Sequence, residues 1–195
     1  MRLTLTTPPD TLPVEVAEVK SYRRILHDHE DDLVSMMIGA AVSYLDGPVG
    51  ILGRPIMQQT WEVALAEWPN GDLPLPVCSV SAAMVSYDDA DGVEQVLSTG
   101  AWSIAPLANI GSGAARPVFA WADGAQKPEL GGARFPVRFS LTGGVADVAD
   151  VPQDIKVLII MLAGHWLAHR EQVGADVTEL PLSISALIAR HRVPL

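Results

Sequence analysis

Val151-Pro152-Gln153-Asp154-Ile155-Lys156-Val157-Leu158-Ile159-Ile160-Met161-Leu162-Ala163-Gly164-His165-Trp166-Leu167-Ala168-His169-Arg170-Glu171-Gln172-Val173 decides the fold. It reads as one long helix over 151–173. Pro152 suits the first turn, where its missing N–H costs nothing. Asp154 places a negative charge at the positive end of the helix dipole. Val157 to Leu162 are apolar almost all the way round, the mark of a helix buried on most sides. The stretch is too short and too closely flanked by charge for a bilayer span, which needs about 20 apolar residues. Arg170 and Gly174 mark its end. Such a helix needs partners on several faces, from its own chain or from a neighbouring subunit.

Upstream, Leu12-Pro13-Val14-Glu15 opens a helix to about Leu26, with Val16, Val19, Tyr22 and Leu26 as its apolar stripe. The leader before it, Arg2 to Thr6, alternates as an edge strand does, and Thr7-Pro8-Pro9-Asp10 is extended. A second helix spans about Glu30 to Leu45. Glu30, Asp31 and Asp32 fill its first turn. Leu33, Met36, Met37, Ala40, Ala41 and Tyr44 form its expected buried side. Gly39 suggests close approach of another backbone, and Gly47-Pro48 stops the helix.

From Gln59 the period changes to two. Trp61, Val63 and Leu65 alternate with Glu62, Ala64 and Ala66. Further strands are expected at Val80–Tyr87, Val93–Leu97, Trp102–Ile104, Arg116–Trp121 and Phe135–Leu141. Asp88 to Gly92 is a hairpin turn. Residues 105–133, rich in Gly, Ala and Pro, are expected to be the most mobile part. After the long helix, Ser183 is expected to cap a short final helix with Ile184, Leu187 and Ile188 apolar. The order helix, helix, β insertion, helix, helix implies an α+β fold. Its helical core comes from the N- and C-terminal helices (1–58 and 151–195). A small antiparallel β-sheet subdomain is inserted at 59–144 of a single domain.

The 195 residues are 49% hydrophobic, with 13 basic and 23 acidic side chains and a net charge of −10. The composition excludes an intrinsically disordered chain. Its acidity disfavours a nucleic-acid-gripping role, which rests on neutralising phosphates. The acidity lies upstream, since residues 151–195 carry four basic and four acidic side chains. Cys78 is the single cysteine, so no internal disulfide or cysteine-based zinc site is expected. Met1 to Asp10 lacks the apolar core of a secretion signal.

Candidate chemistry is sparse. His165 and His169 lie one helical turn apart, a spacing that suits two imidazoles on one metal. Trp166 stands where the metalloprotease pattern has Glu. His27, His29 and Glu171 are the third-ligand candidates. The run His27 to Asp32 is dense in ligand types, but its charge fits an acidic helix start. Asp88 to Gly92 fails as a calcium loop, because Tyr87 and Ser98 fall where acidic ligands belong. Gly111-Ser112-Gly113 lacks the Lys of a phosphate loop. Cys78 reads as a small buried hydrophobe, and no Gly-x-Ser-x-Gly elbow is present. No catalytic residue, cofactor or metal is assigned. Trp61, Trp68, Trp102 and Trp121 all fall in the β region, and one small sheet has little interior for four indoles. Trp61, Trp102 and Trp121 are therefore subunit-interface candidates, because Trp is enriched at such contacts.

Several stretches recur together in an ordered set. Thr7-Pro8-Pro9 precedes Pro13-Val14-Glu15-Val16-Ala17-Glu18-Val19-Lys20, and Glu30-Asp31-Asp32-Leu33 opens a helix. Gly53-Arg54-Pro55-Ile56-Met57-Gln58-Gln59-Thr60-Trp61 leads into a strand. Asp91-Gly92, Val151-Pro152, His165-Trp166 and Arg170-Glu171 follow. Across nearly the whole chain this set resembles the head–tail connector, or adaptor, proteins of phages with long non-contractile tails and of gene transfer agents. The resemblance implies a homo-oligomeric ring, typically a dodecamer, beneath the portal of a DNA-filled capsid. Such a ring extends the DNA channel and meets a stopper or tail-completion protein. It implies residence in a virion or phage-like particle assembled in the bacterial cytoplasm, no enzymatic activity and no membrane partner. The C-terminal segment then faces the portal, with Leu182, Ile184, Leu187, Ile188, Val193 and Leu195 as candidates. An acidic lumen would let DNA slide without being held. The competing functions are a small metal-dependent hydrolase using His165 and His169, and a monomeric binding module with a β platform.

Overall fold

A computed structural model of the chain describes residues 1–106, 116–169 and 181–193. The fold is α+β, in two compact units. One comprises Met1–Pro9 and Gln58–Gly144, the other Asp10–Met57 and Val145–Leu195.

The β unit holds two antiparallel sheets. The five-stranded one runs β1 (Arg2–Thr7), β2 (Gln59–Leu65), β8 (Val137–Gly143), β4 (Val80–Asp88), β5 (Glu94–Val96). Period-two patterning sets its register: Trp61 faces Leu141, Val63 faces Phe139 and Leu65 faces Val137 across β2 and β8. Val137, Phe139 and Leu141 are fully buried, while the residues between them are half-buried. The β4–β5 turn is tied by Asp89, whose carboxylate accepts the backbone N–H groups of Asp91 and Val93. Gly92 there has φ +78, a conformation that favours glycine.

The second sheet orders β3 (Leu73–Pro74), β7 (Pro117–Trp121) and β6 (Trp102–Pro106). The period-two pattern implies a single sheet, so this is a correction. Phe119 of β7 meets Phe139 of β8 edge-on, ring centres 5.0 Å apart. The two sheets thus enclose one aromatic core, and the second sheet supplies the interior that four indoles require.

In the helical unit α3 (Gln153–Ala168) is the hub, with α1 (Val16–Arg23), α2 (Asp31–Leu45) and α4 (Leu182–His191) all packed on it. The chain itself therefore supplies the partners this helix needs. Ile155, Leu158, Ile159, Leu162, Ala163 and Leu167 are buried, whereas Val157 and Met161 remain in part exposed. The helix is shorter than 151–173. It ends at Ala168, and His169 caps it with its N–H directed at the carbonyls of His165 and Trp166. Arg170 and Gly174 lie outside the described residues.

Three further corrections follow from packing. α1 stops at Arg23 because Arg24 turns left-handed (φ 57), letting the Ile25 N–H reach the Lys20 carbonyl at 2.9 Å, a Schellman-type end. Leu26, expected on the apolar stripe, is 96% exposed. α2 is rotated from the expected orientation. It buries Val34, Ile38, Ala41, Val42 and Leu45 and exposes Met36, Ala40 and Tyr44. No backbone approaches Gly39 closely; the crowded helix glycine is Gly164, where side chains do the crowding and a Cβ would lie 3.1 Å from the Tyr22 ring and the Arg23 side chain. A Cβ at Gly39 would meet nothing within 4 Å. Gly39→Ala is accordingly expected to raise stability by about 0.5–1 kcal/mol, since Ala restricts the unfolded chain and costs no contact. A thermal or urea melt checks it.

Candidate functional site

The candidate residues fall into three groups: the C-terminal segment, the tryptophans of the β unit and the histidine pair of α3. Its C-terminal segment is built onto the helical unit by α4, which begins at Leu182 behind Pro181 and not at a Ser183 cap. Ile184 and Ile188 are buried, Leu187 is half-buried, and Leu182 is 88% exposed. Arg190 Nη1 and His191 Nε2 approach Asp154 of α3 at 3.1 and 3.4 Å. Beyond the helix, the Val193 N–H donates to the Leu52 carbonyl at 2.8 Å. Gly53, at φ +65, sits so close to the Val193 carbonyl that a Cβ would lie 2.8 Å from its oxygen. Of the six C-terminal candidates, Ile184, Ile188 and Val193 thus anchor the segment to its own core. Leu182 and Leu187 present apolar surface, and Leu195 lies outside the described residues.

The tryptophan candidates are distributed over both sheets. Trp61 is buried on β2, its indole N–H donating to Gln59 Oε1 at 2.9 Å. Trp102 and Trp121 are brought together as cross-strand partners on β6 and β7, and both touch Phe119. The Trp121 indole donates to the Pro69 carbonyl at 3.0 Å. Trp102 is half-buried, and its Nε1 has no hydrogen-bond partner among the described residues.

Reading the sequence alone misses the outer face of α2. Met36 is 60% exposed and Tyr44 41% exposed, and Ala40 lies between them. The available signal is the absence of any charged residue from Leu33 to Leu45, which leaves the outer side uncharged, with exposed Ser35 and Ser43 beside the apolar ridge.

The histidine pair has the spacing of two ligands, with no third among the described residues. The His165 and His169 rings are 4.4 Å apart, and His169 Nδ1 lies 2.9 Å from the His165 carbonyl oxygen. His27 and His29 stack on each other, and Glu171 falls outside the described residues. Among the described residues, no group of three His, Cys, Asp or Glu side chains is placed to hold a metal ion. Burial, then the neighbouring His169 and Arg23 charges, pushes the His165 imidazole below its usual range. The unfolded chain therefore binds this proton first as pH falls through about 6.5, so the group withdraws stability below that pH. The thermal midpoint is expected to fall between pH 7 and 5, and less steeply for His165→Asn.

The acidic start of α2 is neutralised in part by Lys20, whose Nζ lies 2.6 Å from both Asp28 and Asp31. Lys20 holds the Asp28 carboxyl below the usual carboxylate range. In the β unit Arg138 grips Asp88 with two hydrogen bonds of 2.6 and 3.0 Å and reaches Glu94 at 3.1 Å, tying β8 to β4 and β5. Gly111-Ser112-Gly113 lies outside the described residues, and Cys78 is buried. No described helix is long and apolar enough to cross a membrane.

What the site and fold define is an α+β chain with anchored terminal helices and exposed apolar contact faces. No protein-family model and no curated protein matches it. Solved structures do share its fold from end to end. They include a chain of the neck of an empty gene transfer agent particle computed with C6 symmetry (TM-score 0.77, 23% identity). A chain of the virion of a native gene transfer agent particle aligns at TM-score 0.75 and 23% identity. A third, from the neck of a native particle computed with C12 symmetry, aligns at 0.70 and 24%. Each alignment covers 100% of this chain and 97% of the other. At these identities the likeness is one of fold.

Proposed function

We propose that this chain is a structural component of the neck of a phage-like particle, a head–tail connector that forms a ring beneath the portal. The observation that carries this reading is the end-to-end fold likeness to chains of gene transfer agent necks computed with C6 and C12 symmetry. The ordered set of stretches that resembles connector proteins supports it independently.

In this role the chain joins a homo-oligomeric ring, a dodecamer, that extends the DNA channel from the portal to a stopper or tail-completion protein. DNA crosses the lumen without sequence-specific binding, helped by the net charge of −10. Leu182 and Leu187, with the chain beyond Val193, meet the portal, while Ile184, Ile188 and Val193 hold α4 in place. Trp102 and Trp121, half-buried on adjacent strands, offer indole surface to a neighbouring subunit, and buried Trp61 backs the five-stranded sheet. The protein has no catalytic step in this role. Its place is the head–tail junction of a particle assembled in the bacterial cytoplasm.

The test is the mass of the purified protein, alone and mixed with the portal protein of the same particle, with images of any large species. A ring seated on the portal supports the proposal. A chain that stays monomeric in both conditions favours the monomeric binding module instead.

A further inference from the structure

The outer face of α2 is the least expected surface of the helical unit. Met36, Ala40 and Tyr44 recur every fourth residue and so form one ridge, and Tyr44 is braced edge-on against Trp166. Scattered exposed apolar residues need no explanation. A ridge on a helix without charge from Leu33 to Leu45 does. Asp32, exposed, marks its acidic end.

The outer face of α4 has the complementary charge order. Ser185, Ala186 and Ala189 are exposed, no charge occurs from Leu182 to Ala189, and exposed Arg190 and Arg192 close the far end. Arg190 is engaged with Asp154. Asp32 and Arg192 have no ion-pair partner among the described residues. Within one copy α2 and α4 each pack on α3, and among the described residues they make no extensive contact with each other.

We propose that the outer face of α2 is covered by α4 of a second copy of this chain, the two helices running antiparallel. This deepens the ring reading and rests on it. Antiparallel alignment sets Asp32 beside Arg192 of the other copy. It also puts Met36 and Ala40 over the low surface of Ala189 and Ser185. Asp32 to Tyr44 spans about 18 Å and Leu182 to Arg192 about 15 Å, so the faces match in length within one turn. Each copy then gives α2 to one neighbour and α4 to the other. Such a head-to-tail contact builds a ring where its rotation closes. Leu182, at the opposite end of α4 from Arg192 and on the same face as Ser185 and Ala189, then lies beside Tyr44, so this contact takes Leu182 from the portal and leaves Leu187.

The test is sedimentation equilibrium of the full-length protein over a wide concentration range, with thermal melts confirming that each variant folds. The wild-type protein is expected to self-associate. Met36→Glu is expected to weaken association about 100-fold, as loss of a central apolar contact does. Asp32→Arg and Arg192→Asp should each weaken it about tenfold, and their combination should restore it. Wild-type association that ignores Met36→Glu and the charge reversals overturns this contact and leaves the ring reading standing. A wild-type chain that stays monomeric at every concentration overturns this contact, and only one that also leaves the portal bare overturns the ring reading.

Discussion

Phe119→Ala is expected to lower the stability of the chain by about 3–5 kcal/mol, the cost of removing a buried Phe side chain and leaving the cavity. Phe119 is wholly inaccessible. Its ring meets Phe139 edge-on at 5.0 Å, Trp121 edge-on at 5.4 Å and Trp102 in a stacked arrangement at 6.2 Å. It is therefore a central residue of the core that the two sheets share. A small side chain there removes dispersion contacts from three aromatic neighbours at once. Those neighbours sit on strands paired by backbone hydrogen bonds and cannot collapse into the void. Urea unfolding followed by tryptophan fluorescence reads the loss directly, because two of the three neighbours are indoles. A loss below about 1 kcal/mol would mean that the sheets are held chiefly elsewhere.

Gly53→Ala is the second substitution with a large expected effect, about 2–4 kcal/mol. Two costs combine. Gly53 has φ +65, where an L side chain is strained. A Cβ would also lie 2.8 Å from the Val193 carbonyl oxygen, a backbone atom held in place by the Val193 N–H bond to Leu52. A flexible side chain could swing away from the intruding methyl, but this backbone can only move as a segment. The expected outcome is release of the chain around Val193 with partial exposure of Ile188, seen as faster amide exchange in α4 than in α2. Uniform exchange across both helices would show that Val193 does not anchor the segment. If the C-terminal segment meets the portal, the same variant should bind it more weakly while still folding.

Much of the fold is legible because burial on one face writes its period into the sequence. β8 alternates so strictly that the period alone places Phe139 in the core, whereas in β2 the pattern that places Val63 there breaks at Ala64, which is fully buried while Leu65 is only half-buried. Long-range pairing leaves no such trace. Leu73-Pro74 is two residues long and reads as extended chain, so nothing local announces a second sheet joining it to Pro117–Trp121. The orientation of α2 is illegible for a different reason. With no charge between Leu33 and Leu45, only Ser35 and Ser43, both exposed, mark the side with Met36 and Tyr44 against the side with Val34 and Ile38, and that is a weak signal. Only packing against α3 decides.

The end of α1 escapes a reading of the sequence because left-handed Arg24 carries none of the glycine signal that usually marks such a turn. The C-terminal candidates show the same limit. Ile184, Ile188 and Val193 are equally apolar whether they face their own core or a partner. Their chemistry nominates them as contact residues but does not separate them from Leu182.

Ring formation beneath a portal is tested most directly by the mass of the protein mixed with its portal, read alongside particle images. A symmetric ring of this chain on one face of the portal, with a channel continuous with the portal lumen, is the predicted result. A stable monomer that leaves the portal bare at every concentration would contradict it.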